Sequence, residues 1–111
     1  MDNITFEDFS KIDFRVGTII AVEAFDEAIK PAYKLKIDFG DIGVLNSSAQ
    51  ITHRYSEGDL LNKQVIAVLN FPKKQIANFM SECLVIGAVG EEGDVVLLNP
   101  DFKVENGLRI G

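Results

Sequence analysis

Two lysines, Lys73 and Lys74, follow Pro72 and lie just beyond Asn70, in a bend between two strongly apolar segments. Lysine ammonium groups bind phosphate as point charges, and the fixed φ of the proline stiffens their approach. An amide at the end of a buried strand either satisfies backbone groups of the bend or reaches a ligand. This stretch therefore suggests binding chemistry. The ordinary alternative is that exposed loop lysines only solubilise the surface.

No catalytic constellation accompanies this stretch. Cys83 lies inside an apolar run, where a buried, unreactive thiol is expected. His53 is the one histidine, so no zinc-ligand spacing is present. Ser47, Ser48 and Ser81 lack a nucleophile-elbow setting, and the glycines form neither a dinucleotide fingerprint nor a P-loop. The sequence predicts a protein that is not an enzyme and that uses no cofactor or metal.

Length and composition favour one globular domain over residues 1–111. The chain is 47% hydrophobic and 25% charged, which is ordinary for a globular protein. No apolar run approaches the ~20 residues of a membrane span, and no signal-peptide pattern opens the chain. We therefore expect a cytoplasmic protein without membrane insertion. The lone cysteine rules out an internal disulfide.

The net charge of −6 is unevenly distributed. Residues 1–29 carry −5 and residues 81–111 carry −4, whereas residues 30–80 carry +3. One interpretation is a solvated surface without functional meaning. The other is a modest positive patch that could hold a phosphate backbone, although the global charge opposes strong non-specific binding.

Short β segments separated by turns dominate the rest of the chain. Thr5 is a suitable N-cap, with Asp8 three residues on, for one or two helical turns over residues 5–10. The best strand is 33–39, which alternates strictly between apolar and polar residues. We predict further strands at 14–22 (with a bulge or sharp coil at Gly17), 44–49, 65–69, 83–88 and 95–98, a hairpin turn at 40–43, a helical turn at 50–55 ended by 57–59, and a polar bend at 70–81.

This order predicts an all-β fold, and a five-stranded closed barrel of the OB-fold type matches it best. The barrel would span about residues 12–98, with a short N-terminal helix, a helical turn between strands 3 and 4, and an extended C-terminal tail. Apolar residues remain in the terminal segments 1–11 and 99–111, and these either cap the barrel or pair with another subunit. We favour a symmetric homodimer, with an interface of Phe6, Phe9, Ile12, Phe102, Leu108 and Ile110.

Several blocks carry a family resemblance. Residues 14–19 and 31–40 resemble the opening of the tRNA-binding OB-fold domain that is appended to methionyl- and phenylalanyl-tRNA synthetases. Residues 47–52, 68–72 and 81–87, with the closing 93–100, are more similar to the stand-alone CsaA-type branch, the export-related chaperones. The resemblance implies a non-catalytic OB-fold homodimer. It also implies tRNA binding on the barrel face in one branch. In the other it implies binding of unfolded or pre-export proteins and of the export motor.

The chain departs from the RNA-binding pattern at particular positions. Val44 and Leu45 stand where that branch tends to carry arginine, and Glu82 lies beside the Ser81 hydroxyl. The bend carries Gln75, Asn78 and Met80 where bases and a glycine are usual, and Asn78 is the residue suited to replace that glycine in a left-handed conformation. These changes remove positive charge or add apolar surface, which favours an apolar peptide as ligand.

The sequence therefore predicts a chaperone of the CsaA type that binds exposed apolar segments of client proteins. A weak capacity for tRNA is retained through lysines and polar groups. The rival hypotheses are a tRNA-binding module that acts in trans and a structural dimer without a ligand. The predicted ligand-binding residues are Lys34, Lys36, Ser48, Asn70, Lys73, Lys74, Phe79, Met80 and Ser81.

Overall fold

Five antiparallel strands form one sheet, and its curvature builds a nearly closed barrel. The computed structural model describes all residues, 1–111. The strands of this sheet are β1 (Phe14–Ala24), β2 (Tyr33–Asp38), β3 (Val44–Ala49), β4 (Gln64–Val68) and β7 (Leu84–Val85), and they neighbour one another in the order β3-β2-β1-β4-β7. Two hairpins stand outside it: β5 (Lys74–Ile76) with β6 (Phe79–Ser81), and β8 (Gly87–Val89) with β9 (Val95–Leu97). The helices are α1 (Phe6–Ser10) and α2 (Glu57–Leu60), with a 3-10 turn at Gly40–Ile42. The predicted all-β, five-stranded OB-type barrel is confirmed.

The alternation of β2 organises the core. Leu35, Ile37 and Phe39 are fully buried, whereas Lys36 on the opposite face is exposed. Residues of β1, β3 and β4 complete the core, because each strand turns one face inward. This confirms the pattern on which the fold prediction depended.

Gly17 has a different role from the one predicted. The register of β1 against β2 shifts between Ile19 and Ala21, so the bulge lies beyond the glycine. At Gly17 a Cβ atom would lie 2.6 Å from Ile37 Cγ2 and 2.7 Å from the ring of Phe39. The missing side chain therefore makes room for two core residues, and a bulge, one of the two alternatives predicted at this position, is wrong.

The barrel closes between β3 and the end of β6. The hydrogen bonds there join backbone groups both to other backbone groups and to side-chain oxygens. The Glu82 N–H donates to the Asn46 carbonyl at 2.8 Å, and the Asn46 N–H donates to Glu82 Oε1 at 2.9 Å. The Ser48 N–H donates to Ser81 Oγ at 3.1 Å. Side-chain oxygens thus satisfy backbone donors along an edge where no regular ladder forms.

The helical turn between β3 and β4 begins later than predicted. Residues 50–55 form no helix, and the predicted terminator 57–59 lies inside α2. Ser56 and Asp59 form a reciprocal capping box at the start of this helix. The capping signal outweighs the low helix propensity of Gly58, which explains the error.

The predicted polar bend at 70–81 contains the β5–β6 hairpin, and the predicted strand 83–88 is divided between β7 and β8. The hairpin turn consists of Ala77 and Asn78. The positive φ, 50°, belongs to Ala77 and not to Asn78 as expected. Three-residue strands are too short for alternation to reveal them.

Both terminal segments lie against the first half of β1. Thr5 caps α1 through the predicted capping box, and the Phe9 and Phe14 rings are 5.9 Å apart. In the C-terminal tail, the Leu108 carbonyl accepts from the Val16 N–H at 3.0 Å, and the Ile110 N–H donates to the Phe14 carbonyl at 3.0 Å.

Other apolar residues of these segments remain uncovered. Phe6 is 81% exposed and Phe102 is 78% exposed. No helix in the structure has the length and apolar character needed to cross a membrane.

Candidate ligand-binding groove

A groove of about 630 Å³ lies between the β1–β2 loop (residues 25–32), the end of β3 and the β5–β6 hairpin. OB-fold proteins bind ligands across the face of strands 2 and 3 and between the loops at this end of the barrel. The groove therefore occupies the position where the fold predicts a ligand. It is lined by Ala28, Ile29, Ala32, Ile76 and Ala77 as apolar groups, with Glu27, Lys30, Ser48, Gln50, Lys74 and Gln75.

The apolar part of the groove is open to solvent. Ile29 is fully exposed at the tip of the β1–β2 loop, and Ile76 on the hairpin is half-buried. Isolated exposed isoleucines are common on protein surfaces, but two that line one concave site form a place for an apolar side chain.

The predicted lysines differ in whether they lie near a carboxylate. Lys36 and Lys74 are exposed and pair with no carboxylate. Lys73 Nζ lies 3.6 Å from Glu82 Oε2, at the surface. Lys74 lines the groove, and Lys36 projects from the open face of β2.

Lys34 is placed differently. Its side chain is only 17% exposed, and its Nζ lies 3.6 Å from Glu27 Oε1. The same ammonium lies 4.8 Å from the centre of the Phe25 ring and 5.6 Å from the centre of the Phe79 ring. Lys34 is therefore enclosed beside the groove, and it is not among the lining residues.

Two predicted polar residues, Asn70 and Ser81, form hydrogen bonds within the fold through their side chains, and a third, Ser48, contributes its backbone N–H. Asn70 donates to the Lys11 carbonyl at 2.6 Å and accepts from the Asp13 N–H at 2.9 Å, which ties the N-terminal segment to the barrel. The Ser81 hydroxyl accepts from the Ser48 N–H. Of these three, only Ser48 also lines the groove. A ligand-binding role for these residues stays a prediction.

A smaller hollow of about 190 Å³ adjoins the hairpin on its other side. Phe71, Pro72 and Leu84 line it, together with Cys83. Burial raises the pKa of the Cys83 thiol to about 12, so the protonated form dominates at neutral pH.

Met80, another predicted site residue, is 41% exposed on β6, whereas Phe79 packs edge-on against Phe25 at 5.5 Å.

A hollow of about 770 Å³, larger than the groove, lies at the C-terminal tail. Three of its polar side chains already form hydrogen bonds there: Thr18 donates to Asn106 Oδ1 at 2.7 Å, and Gln64 donates to the backbone carbonyl of Val104 at 2.7 Å. These bonds fix the tail, so we place the candidate site in the β5–β6 groove. Nowhere do three or more His, Cys, Asp or Glu side chains come together in a way that could hold a metal ion.

Of the lining residues, the predicted site contained only Ser48 and Lys74. It missed the β1–β2 loop, and it missed further residues after β3 and in the hairpin: Glu27, Ala28, Ile29, Lys30, Ala32, Gln50, Gln75, Ile76 and Ala77. The signal that could have found Ile29 is an isoleucine in a polar loop at the ligand-binding end of an OB-fold.

Comparison with known proteins identifies the family. The model of the family described as "Putative tRNA binding domain" matches residues 14–109. The chain belongs to this tRNA-binding-domain family. The family predicted from the sequence is therefore confirmed.

Members of the tRNA-binding-domain family with solved structures include two chaperones. The CsaA chaperone protein of Picrophilus torridus is 62% identical, with a TM-score of 0.91 over 98% of this chain and 100% of that chain. The chaperone CsaA of Bacillus anthracis str. Ames is 51% identical, with a TM-score of 0.94 over 99% of this chain and 100% of that chain.

The family also extends into much longer proteins. A methionine–tRNA ligase of Thermococcus onnurineus (strain NA1) is 36% identical over 110 residues, which are 99% of this chain. The chain spans only 15% of the length of that ligase.

Proposed function

We propose that the chain is a non-catalytic chaperone of the CsaA type, which binds exposed apolar segments of unfolded or pre-export proteins in the cytoplasm. The observation that carries the proposal is the solvent-open groove that both Ile29 and Ile76 line. Its ligand is an extended peptide segment, and the export motor is a candidate partner. The high similarity to two proteins named as CsaA chaperones supports the same choice.

The hairpin offers backbone groups with which such a segment can pair. β5 pairs with β6 on one edge only, so its other edge carries free backbone groups. An extended peptide can add to such an edge while its side chains enter adjacent pockets. Lys30 and Lys74 at the groove would accept an acidic residue next to the apolar anchor.

tRNA is the second candidate ligand, because the family model describes a tRNA-binding domain. Lys36 and Lys74 of the predicted site, and Lys30 of the groove, are exposed and pair with no carboxylate, so they are available for phosphate. Few phosphate contacts mean weak binding at physiological salt, and the net charge of −6 opposes approach of an anionic backbone. This balance favours the client protein as the main ligand.

We further propose that the chaperone is a homodimer formed by its terminal segments. Large apolar surface that stays exposed on a small protein usually marks an interaction site. The predicted interface residues Phe6, Ile12, Phe102 and Leu108 are exposed, and Phe9 and Ile110 are half-buried. A two-fold arrangement would cover them with the same residues of a second copy.

Titration of the wild-type protein with two ligands, at low and physiological salt, tests the proposed function. One ligand is a fluorescently labelled, reduced and unfolded model protein, and the other is bulk tRNA. We expect client binding that changes little with salt and suppresses client aggregation, with tRNA binding weaker than about micromolar at physiological salt. Tight tRNA binding without client binding would instead support the module that acts in trans, and binding of neither ligand would support a structural dimer.

A further inference from the structure

We propose that Lys34 is a positioning residue, which joins the two walls of the groove without contacting the ligand. The role in binding rests on the proposed function, whereas the joining of the walls can be tested without any ligand. The first wall is the β1–β2 loop, and the second is the β5–β6 hairpin. Lys34 itself belongs to β2, in the rigid sheet beneath both walls.

Each wall contributes an aromatic ring to the lysine. Phe25, at the start of the loop, is almost completely buried, and its ring lies edge-on to that of Phe79 at the start of β6. The Lys34 ammonium faces both rings, at 4.8 Å and 5.6 Å. A cation between two ring faces attracts both of them, most strongly where water is excluded.

The loop adds a counter-charge. Glu27 Oε1 lies 3.6 Å from Lys34 Nζ, and the carboxylate side chain is itself a lining residue of the groove. A lysine charge that is largely removed from water needs such a partner. Three side chains from the two walls thus converge on one ammonium group.

Few other contacts fix the two walls. The hairpin has three residue pairs between its own strands, and Ser81 provides one hydrogen bond to β3. Within the loop, the Phe25 N–H donates to the Ala32 carbonyl at 3.0 Å, and the Ala28 N–H donates to the Phe25 carbonyl at 3.3 Å. Phe25 and Ala32 are the only buried residues of the two walls, so the charge of Lys34 sets how often the walls separate.

Amide hydrogen exchange of the unliganded protein tests this role. Lys34→Met keeps most of the aliphatic stem but removes the charge. We expect about tenfold faster exchange at the amides of Phe25, Ala28 and the hairpin. The reason is that losing the cation–π contacts lowers the free energy of local opening by an amount that corresponds to about this factor. Lys36→Met is the matched control on the same strand, and its exposed side chain makes no such contact. Lys34→Arg retains the charge and should restore slow exchange.

Glu27→Gln provides a milder test should Lys34→Met reduce folding. It removes only the counter-charge and should accelerate the same amides, by a smaller factor. Unchanged exchange in the folded Lys34→Met variant, or in Glu27→Gln if the former does not fold, would overturn the proposal whatever the protein binds.

Binding then distinguishes positioning from direct contact. We expect Lys34→Met to weaken client binding while the salt slope of tRNA binding stays that of the wild type. A lysine that contacts phosphate would instead lower this slope by about one unit, and that result would overturn the proposal. If the wild-type protein binds no client, the proposed function fails, but the exchange result still decides the role of Lys34.

Discussion

Individual side chains of this chain serve the barrel where the family resemblance suggests a ligand. Glu82 removes positive character from the rim, yet its carboxylate also accepts from the Asn46 N–H and so helps to close the barrel. The Ser81 hydroxyl and the Asn70 amide are committed in the same way. The sequence could not distinguish these roles, because the partners lie more than 30 residues away along the chain.

The backbone of Ala77 is strained, and a glycine at this position would relieve the strain. Its φ of 50° occupies the first position of a two-residue hairpin turn, where glycine is favoured. A left-handed alanine costs about 1–2 kcal/mol, and glycine loses about 0.5–1 kcal/mol of that gain to entropy. We expect Ala77→Gly to raise the free energy of unfolding by about 0.5–1 kcal/mol, measured by urea denaturation.

Ala88→Gly is the control for this substitution. Ala88 lies in β8 and has no positive φ, so the substitution should lower stability by about 0.5–1 kcal/mol. Equal losses in the two variants would contradict the strain assigned to Ala77.

At the scale of elements, hydrophobic periodicity predicted the long strands that bury one face. The β2 strand, the β2–β3 hairpin and the capped α1 follow directly from alternation, glycine placement and the Thr5–Asp8 spacing. The β5–β6 hairpin was missed because its strands have three residues each. It forms one wall of the candidate groove, and without it the sequence could not show that of the predicted residues Lys74, Phe79, Met80 and Ser81 only Lys74 lines the groove.

The capping box of α2 gives an element-scale prediction. Leu60 in α2 is fully buried, whereas α1 has no buried residue. Ser56→Ala should therefore cost about 1 kcal/mol of unfolding free energy, and the equivalent Thr5→Ala should cost less. Urea denaturation of both variants measures the difference, and a larger loss for Thr5→Ala would contradict this assignment.

The same capping box has a pH signature. Hydrogen bonds from the Ser56 backbone and side chain hold the pKa of Asp59 below its usual value. A lowered carboxylate pKa stabilises the folded state above the pKa of the unfolded chain, near 3.9, and this stabilisation is lost as the pH falls through the folded value. Asp59→Asn should therefore flatten the acid side of the stability profile. An acid side as steep as that of the wild type would contradict this cause.

At the scale of the whole molecule, the terminal segments are the parts with the least cover. Phe102 is largely exposed in the tail, although the tail itself is hydrogen-bonded to β1 and β4. This position should therefore tolerate a charge within one subunit but not in a two-fold interface. We expect Phe102→Asp to convert the proposed dimer to a monomer in sedimentation velocity at micromolar concentration.

Val89→Asp tests whether any added charge has the same effect. Val89 is a comparably exposed apolar residue on the β8–β9 hairpin, and its substitution should leave the dimer intact. If the wild-type protein is a monomer, the terminal segments are excluded as an interface. They are also excluded if Phe102→Asp dimerises with the same affinity as the wild type.

Binding of clients in the groove of Ile29 and Ile76, as proposed, is tested most directly by one comparison of client affinities. Ile29→Asp places a charge in the groove, whereas Ile42→Asp alters a half-exposed isoleucine in the β2–β3 turn, which does not line the groove. Loss of one apolar anchor corresponds to about 1.5–3 kcal/mol. Anisotropy of a labelled unfolded protein should therefore report at least tenfold weaker binding for Ile29→Asp, and wild-type binding for Ile42→Asp. Equal affinity of the two variants would contradict the account.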